Sequence, residues 1–295
     1  MESAFAELPL AVFTTLAPIG AAGFVALAMI ACATEYADGV EQRANKAALA
    51  SFVVALVGFG ASAFHLANPI AAFGAIAGIG RSPLTNEIVV GGVFMAVALV
   101  YVVLARTGKL GAANRPFAAV VAVLAVVFCA FVGLAYMVPT VQSWDSVLLP
   151  IEVVGYALVG GCTLGMLALA GEADGPAKVG ELLRVAAAAG AAITIAAVAI
   201  QLITLSGAST AVASGAQIAS TVAPFAVAGL VLIAVAAIEL WRGFVKGATC
   251  AIAVRALLET VVGVLTSAFF KGVVNTAPFA CRVARANLPT SGSSL

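Results

Sequence analysis

Charged residues are scarce in this sequence. Asp, Glu, Lys and Arg together make up 9% of 295 residues, and there is a single histidine, His65. With 63% hydrophobic residues and a mean hydropathy of +1.17, the composition lies far outside that of soluble domains, and an integral membrane protein is implied. Other absences narrow the chemistry. The five cysteines (Cys32, Cys129, Cys162, Cys250 and Cys281) form no CxxC pair, and four of them fall in or beside apolar runs, so neither an iron–sulfur cluster nor a zinc site is encoded. One histidine cannot supply the paired ligation of a membrane b-type haem, so a redox metal is expected only on another subunit. There is no phosphate-binding GxxxxGK[ST] segment, no HExxH and no basic patch for nucleic acid. Glu2 and Glu7 precede the first apolar run with no lysine or arginine, unlike the start of a cleaved signal peptide, and that run is expected to stay as a helix.

What is present is long apolar runs. About 20 apolar residues span the roughly 30 Å hydrocarbon core as a helix, and such windows fit at about 10–33, 47–67, 87–106, 116–138, 148–171, 182–205, 222–242 and 251–274. The expected fold is therefore an all-α membrane bundle of eight transmembrane helices, occupying residues 1–275, with a disordered tail over 276–295. Polar punctuation such as EYADGVEQRANK, RTGKLGAANR and EADGPAKVGE separates the runs. Small residues recur inside them, among them Gly23, Gly60, Gly160, Gly161, Gly165 and Gly190. Two readings stand side by side: close helix packing in lipid, or a general bias toward alanine and glycine.

Lysine and arginine in short loops set the orientation. With the N-terminus outside, inward loops hold Arg43, Lys46, Arg106, Lys109, Arg115, Lys178, Arg184, Arg242 and Lys246, and outward segments hold Arg81, Lys271, Arg282 and Arg285. Nine against four places both termini on the outer side. His65 at the end of the second helix, Glu87 at the start of the third, Tyr136 closing the fourth, and Trp144 and Glu152 flanking the start of the fifth then share the outer surface level. The segment LANPIAAFGAIAGIGRSPLTN between His65 and Glu87 is too apolar for a solvated loop, and is expected to lie in the interface or dip back into protein.

Each candidate has a plainer alternative. An ionisable group in a membrane helix is a functional hypothesis by default, and the plainer alternative for His65 is a hydrogen bond to a neighbouring helix near the headgroups. Glu87 in a first helical turn is favoured by the macrodipole without any function. Glu152 lies deeper with no evident partner in the sequence. Arg255 and Glu259, four apart in the last helix, can pair with each other, and a structural ion pair is expected there rather than a site. Glu239 with Arg242 beside Trp241 reads as an anchor at the inner interface.

Three stretches carry a resemblance. ASAFHLANPIAAFGAIAGIGRSPLTNEIVVGGVF at 61–94, LPLAVFTTLAPIGAAGF near the start, and VPTVQSWDSVLLP with the following GGCTLG are similar to segments of the dimethyl sulfoxide reductase membrane anchor family (DmsC type). The likeness covers the first 170 residues well and the remainder by helix count. It implies an anchor in the cytoplasmic membrane for a complex iron–sulfur molybdoenzyme. This protein would bind no cofactor itself, take menaquinol as substrate, and pass electrons in anaerobic respiration to a ferredoxin-like iron–sulfur subunit that feeds a molybdopterin catalytic subunit. The family's quinol-site histidine and glutamate map to His65 and Glu87, with Arg81, Tyr136 and Glu152 as further quinol-binding candidates. Independently of the family, a neutral imidazole can accept a quinol hydroxyl proton, and Glu87 at the water boundary is expected to relay it outward. Ala71 and Gly78 stand where family members often carry basic residues, Lys271 is the one charge toward the outer end of the last helix, and Leu8 replaces the opening tryptophan. The rival readings are a secondary transporter, for which discontinuous helices and a midplane site are expected, and a structural anchor without quinol activity. A related reductase for another acceptor shares the same anchor chemistry.

Overall fold

The computed structural model describes residues 8–33, 38–65, 78–137, 146–169, 177–207, 215–246 and 250–276. Eight long helices run through them: α1 (Leu8–Ala33), α2 (Asp38–His65), α3 (Pro83–Arg106), α4 (Asn114–Ala135), α5 (Leu148–Leu169), α6 (Ala177–Gly207), α7 (Gly215–Lys246) and α8 (Cys250–Thr276). A single 3₁₀ turn, Gly111–Ala113, leads into α4. Seven of the helices, α1 to α7, are long and apolar enough to cross a membrane by length and composition, so this is a multi-pass membrane protein. Thr276, the first residue of the expected tail over 276–295, closes α8, and 277–295 and the loop at 66–77 lie outside the described residues.

All helices but α5 start ahead of the expected spans, while α2, α4 and α5 end two or three residues short of them. The largest difference is in α2, which begins at Asp38 rather than near 47, so that EQRANK is helical and not loop. Likewise α3 starts at Pro83, four residues ahead of its expected start. The physical reason is that an apolar window measures the hydrocarbon thickness, while the backbone ladder continues into the headgroup layer wherever good helix formers such as Gln, Arg, Ala and Lys follow.

α1 and α5 form the centre. Burial covers 78% of the α1 span and 72% of the α5 span, against 28–39% in the other five. α1 packs on α2, α4 and α5, while α5 also contacts α6, and α7 pairs with α8 and α6. A helix apolar on every side can be enclosed by others, and in α1 small residues permit it. Ala17, Ala21, Ala22 and Ala26 are all buried. A side chain on Gly161 of α5 would run into the backbone of Ala22, and one on Gly160 would meet Ile19. Gly20 lies equally close to Ala55 of α2. Gly60, by contrast, faces open space. The two readings of the small residues therefore divide by position: Gly23, Gly160, Gly161, Gly165 and Gly190 are packing residues and Gly60 is not. The outer surface carries Leu56, Val57, Val100, Val123 and Val231, all exposed. Such a surface suits lipid and would drive a soluble protein to aggregate.

Candidate functional site

Consecutive helices alternate in direction, so the end of α2, the start of α3, the end of α4, the start of α5, the end of α6 and the start of α1 meet at one level. Contacts across the bundle fix this. Phe13 of α1 meets Phe59 of α2 edge-on at 5.4 Å, Gly133 of α4 lies against Pro150 of α5, and Gln201 of α6 reaches Glu152 of α5.

The turn before α3 sets Glu87. Gly80 takes φ +78°, in the left-handed region that glycine adopts without strain, and its N–H donates to Asn86 Oδ1 at 2.7 Å. Ser82 caps the helix by accepting from the Thr85 N–H at 3.4 Å, and Pro83 occupies the first turn. Glu87 thus stands in the second turn, and the first turn holds no acidic residue. The macrodipole alternative for Glu87 loses its basis, because that effect is confined to the terminal turn. Nor is Glu87 at a water boundary: it is 4% exposed, and its Oε1 has no hydrogen-bond partner among the described residues.

Glu152 is equally buried, and the partner that the sequence did not reveal is Gln201, whose Nε2 donates to Glu152 Oε2 at 2.9 Å. Interhelical hydrogen bonds in membranes average about 0.6 kcal/mol, but a buried carboxyl group that loses a donor costs about 1–3 kcal/mol. Gln201→Leu is therefore expected to lower the unfolding temperature of the detergent-solubilised protein. An unchanged temperature would show that the contact carries no stability.

Tyr136 follows the last residue of α4, its N–H donating to the Gly133 carbonyl at 3.2 Å, and it packs on the core partly buried. Arg81 is exposed on the turn ahead of α3. His65 is the final residue of α2; its side chain, and Trp144, lie outside the described positions. Beside these candidates lies a residue that sequence reasoning missed. Tyr156, one turn beyond Glu152 on α5, is 3% exposed, and its hydroxyl donates to the Thr14 carbonyl of α1. The signal that could have found it was Pro18, a proline inside a helix, which leaves a carbonyl in need of a donor. One turn further along α3, Gly91 leaves room for the rings of Phe59 and Phe128, which stack at 5.2 Å. Phe94 stacks on Phe128 in turn at 5.5 Å, so an aromatic layer underlies the polar one.

This arrangement is a buried set of oxygen acceptors above an aromatic layer at one face of a membrane bundle. The profile of the DMSO reductase anchor subunit (DmsC) family matches residues 1–272. The protein belongs to that family. Among its relatives, the C subunit of the anaerobic dimethyl sulfoxide reductase of Escherichia coli (strain K12) is 33% identical over 171 residues, covering 57% of this sequence and 60% of the relative. The corresponding C subunit from Haemophilus influenzae is 26% identical over 167 residues, covering 56% and 59%. The YnfH subunit of an anaerobic dimethyl sulfoxide reductase of Escherichia coli is 30% identical over 147 residues, covering 50% and 51%. The match spans at most 60% of these relatives' length. As a member of the DmsC family the protein has its polar level within the first six helices.

Among the described residues no group of three or more His, Cys, Asp or Glu side chains could hold a metal. At the opposite end, Arg255 pairs with Glu259 at 3.2 Å, as its four-residue spacing implies, and also with Glu239 at 3.8 Å. Glu239 thus pairs with Arg255, and Arg184 lies over Trp241, 4.8 Å from the ring centre. These pairs join α6, α7 and α8 structurally, away from the acceptor level.

Proposed function

We propose that this protein is the membrane anchor and quinol-oxidising subunit of a complex iron–sulfur molybdoenzyme of the DMSO reductase kind. In this reading the bundle crosses the cytoplasmic membrane eight times with both termini outside. Menaquinol is oxidised at the outer face, and electrons pass in anaerobic respiration to a ferredoxin-like iron–sulfur subunit and on to a molybdopterin catalytic subunit. The observation that carries the proposal is Glu87: a carboxyl group buried in a membrane helix, with an oxygen that no described residue satisfies, in a member of the DmsC family. Such a group is expensive to retain unless it serves a ligand or a proton.

Oxidation of one quinol releases two electrons and two protons. His65, whose ordinary pKa of about 6.5 lets a neutral imidazole take a proton near neutral pH, is the primary base, and Glu87 receives a proton beside it. Arg81, Tyr136 and Glu152 complete the headgroup environment. The site's place at one end of the bundle, with α1 and α7 continuous through Pro18 and Pro224, favours this over a transporter, whose discontinuous helices would surround the midplane.

The test is to tag the protein, solubilise native membranes gently, and identify what is recovered by mass spectrometry and metal analysis. Recovery of a cluster-bearing subunit and a molybdenum protein is expected. Recovery of the tagged protein alone, with neither metal, would overturn the reading in favour of a transporter.

A further inference from the structure

Pro18 divides α1 into two stretches. From Ala17 inward the helix is buried, with Gly20 against the backbone of Ala55 and Ala22 against Gly161. Outward of it Leu8 is exposed and residues 9–12 are half-buried. In an α-helix each amide N–H donates to the carbonyl four residues back. Proline has no N–H, and its ring crowds that carbonyl, so the Thr14 carbonyl loses its helical donor. Two neighbouring helices reach this break. The hydroxyl of Tyr156 on α5 donates to the Thr14 carbonyl, and Cys129 Sγ of α4 donates to the Pro18 carbonyl at 3.6 Å. Both side chains are fully buried.

Thr14 adjoins Phe13, whose ring meets Phe59 edge-on at 5.4 Å and Phe128 at 6.5 Å. Those two rings fill the space beside Gly91, one turn along α3 from Glu87. Contacts therefore run unbroken from the Tyr156 hydroxyl through the outer stretch of α1 to the aromatic layer under the candidate site.

We propose that Tyr156 is a positioning residue: it latches the outer stretch of α1 at the Thr14 carbonyl, so that Phe13 keeps the ring stack in place beneath the site. This rests on the quinol reading above and adds a residue that acts through α1. Without the latch a buried carbonyl lacks a donor, which is costly. The outer stretch then pivots at Pro18, and Phe13 leaves the rings. A ligand that needs the latched form binds more weakly in proportion to the fraction of protein latched, while turnover of bound ligand is unchanged.

The experiment measures KM and kcat for menadiol, and the dye-driven rate, in the intact detergent-solubilised complex. Four forms are compared: wild type, Tyr156→Phe, Pro18→Ala and the double variant. Tyr156→Phe is expected to raise the menadiol KM about tenfold, the effect of one buried carbonyl left without its donor, with kcat and the dye-driven rate unchanged. Pro18→Ala returns an amide N–H to the Thr14 carbonyl, so adding Tyr156→Phe to it is expected to change KM by a factor of about one. An unchanged KM in Tyr156→Phe would overturn the latch. An equal rise in both backgrounds would overturn the route through Thr14, and a fall in kcat alone would overturn the positioning role. If wild type cannot oxidise menadiol while dyes still drive catalysis, the quinol reading itself falls. Should Tyr156→Phe fail to assemble, recovery of assembly in the double variant supports the latch and continued failure overturns it.

Discussion

His65→Ala is expected to leave the complex assembled in the membrane while quinol-driven reduction falls by about a hundredfold or more, the usual contribution of a positioned general base. Artificial dyes that deliver electrons directly to the catalytic subunit should still drive it at the wild-type rate. The contrast between the two donors is the measurement, because a fold defect would lower both. His65 is the last residue of α2, toward the end of the bundle where Glu87 is buried and where Phe59 of α2 packs into the space left by Gly91 of α3. An alanine at the last residue of a helix costs little helical stability, so a large loss of quinol activity is chemical in origin. Equal quinol-driven rates in variant and wild type would remove His65 from the mechanism and leave the structural-anchor reading in its place.

Gly161→Leu is expected to have the largest effect on the fold. A Cβ alone at this position would overlap the backbone of Ala22, and leucine adds three further carbons in the contact between the two most buried helices. Overpacking a core costs about 1–3 kcal/mol where side chains can shift; here the obstacle is backbone, which cannot turn aside. Against a total stability of about 5–15 kcal/mol, the expected outcome is loss of the protein from the membrane fraction. Gly60→Leu supplies the comparison, since nothing lies within 4 Å of a Cβ there, and it should accumulate as wild type does. Immunoblots of membranes expressing the two variants decide the matter. Similar accumulation of both would mean that α1 and α5 are not held as closely as these contacts indicate.

Both predictions begin from residues visible in the sequence, and they differ in how far the sequence could take them. His65 stands out because it is the one histidine in the protein. Gly161 is one of 29 glycines, and nothing local separates it from Gly60; the difference is which neighbouring helix lies opposite. Glu87 is intermediate. Its presence was plain, yet its setting was misjudged, because Ser82 and Pro83 start α3 earlier than the apolar window does. That shift of one turn moves the carboxyl out of the reach of the helix terminus and into the bundle.

Taken alone, the sequence determined the membrane class, the order of the seven runs that the structure shows as candidate spans, and the end of the bundle at which polar residues gather. These follow from solvent: lipid demands a long apolar run for every crossing, and alternation of direction then assigns each residue an end. The tertiary structure decided which side chains meet there. Tyr156 lies in VVGYALVG and Gln201 in AIQLI, runs whose composition marks no site. Their roles come from partners distant in the sequence, the Thr14 carbonyl freed by Pro18 and the buried carboxyl of Glu152. In lipid a polar group must find its partner inside the protein, and the angle at which two helices pack decides which partner that is.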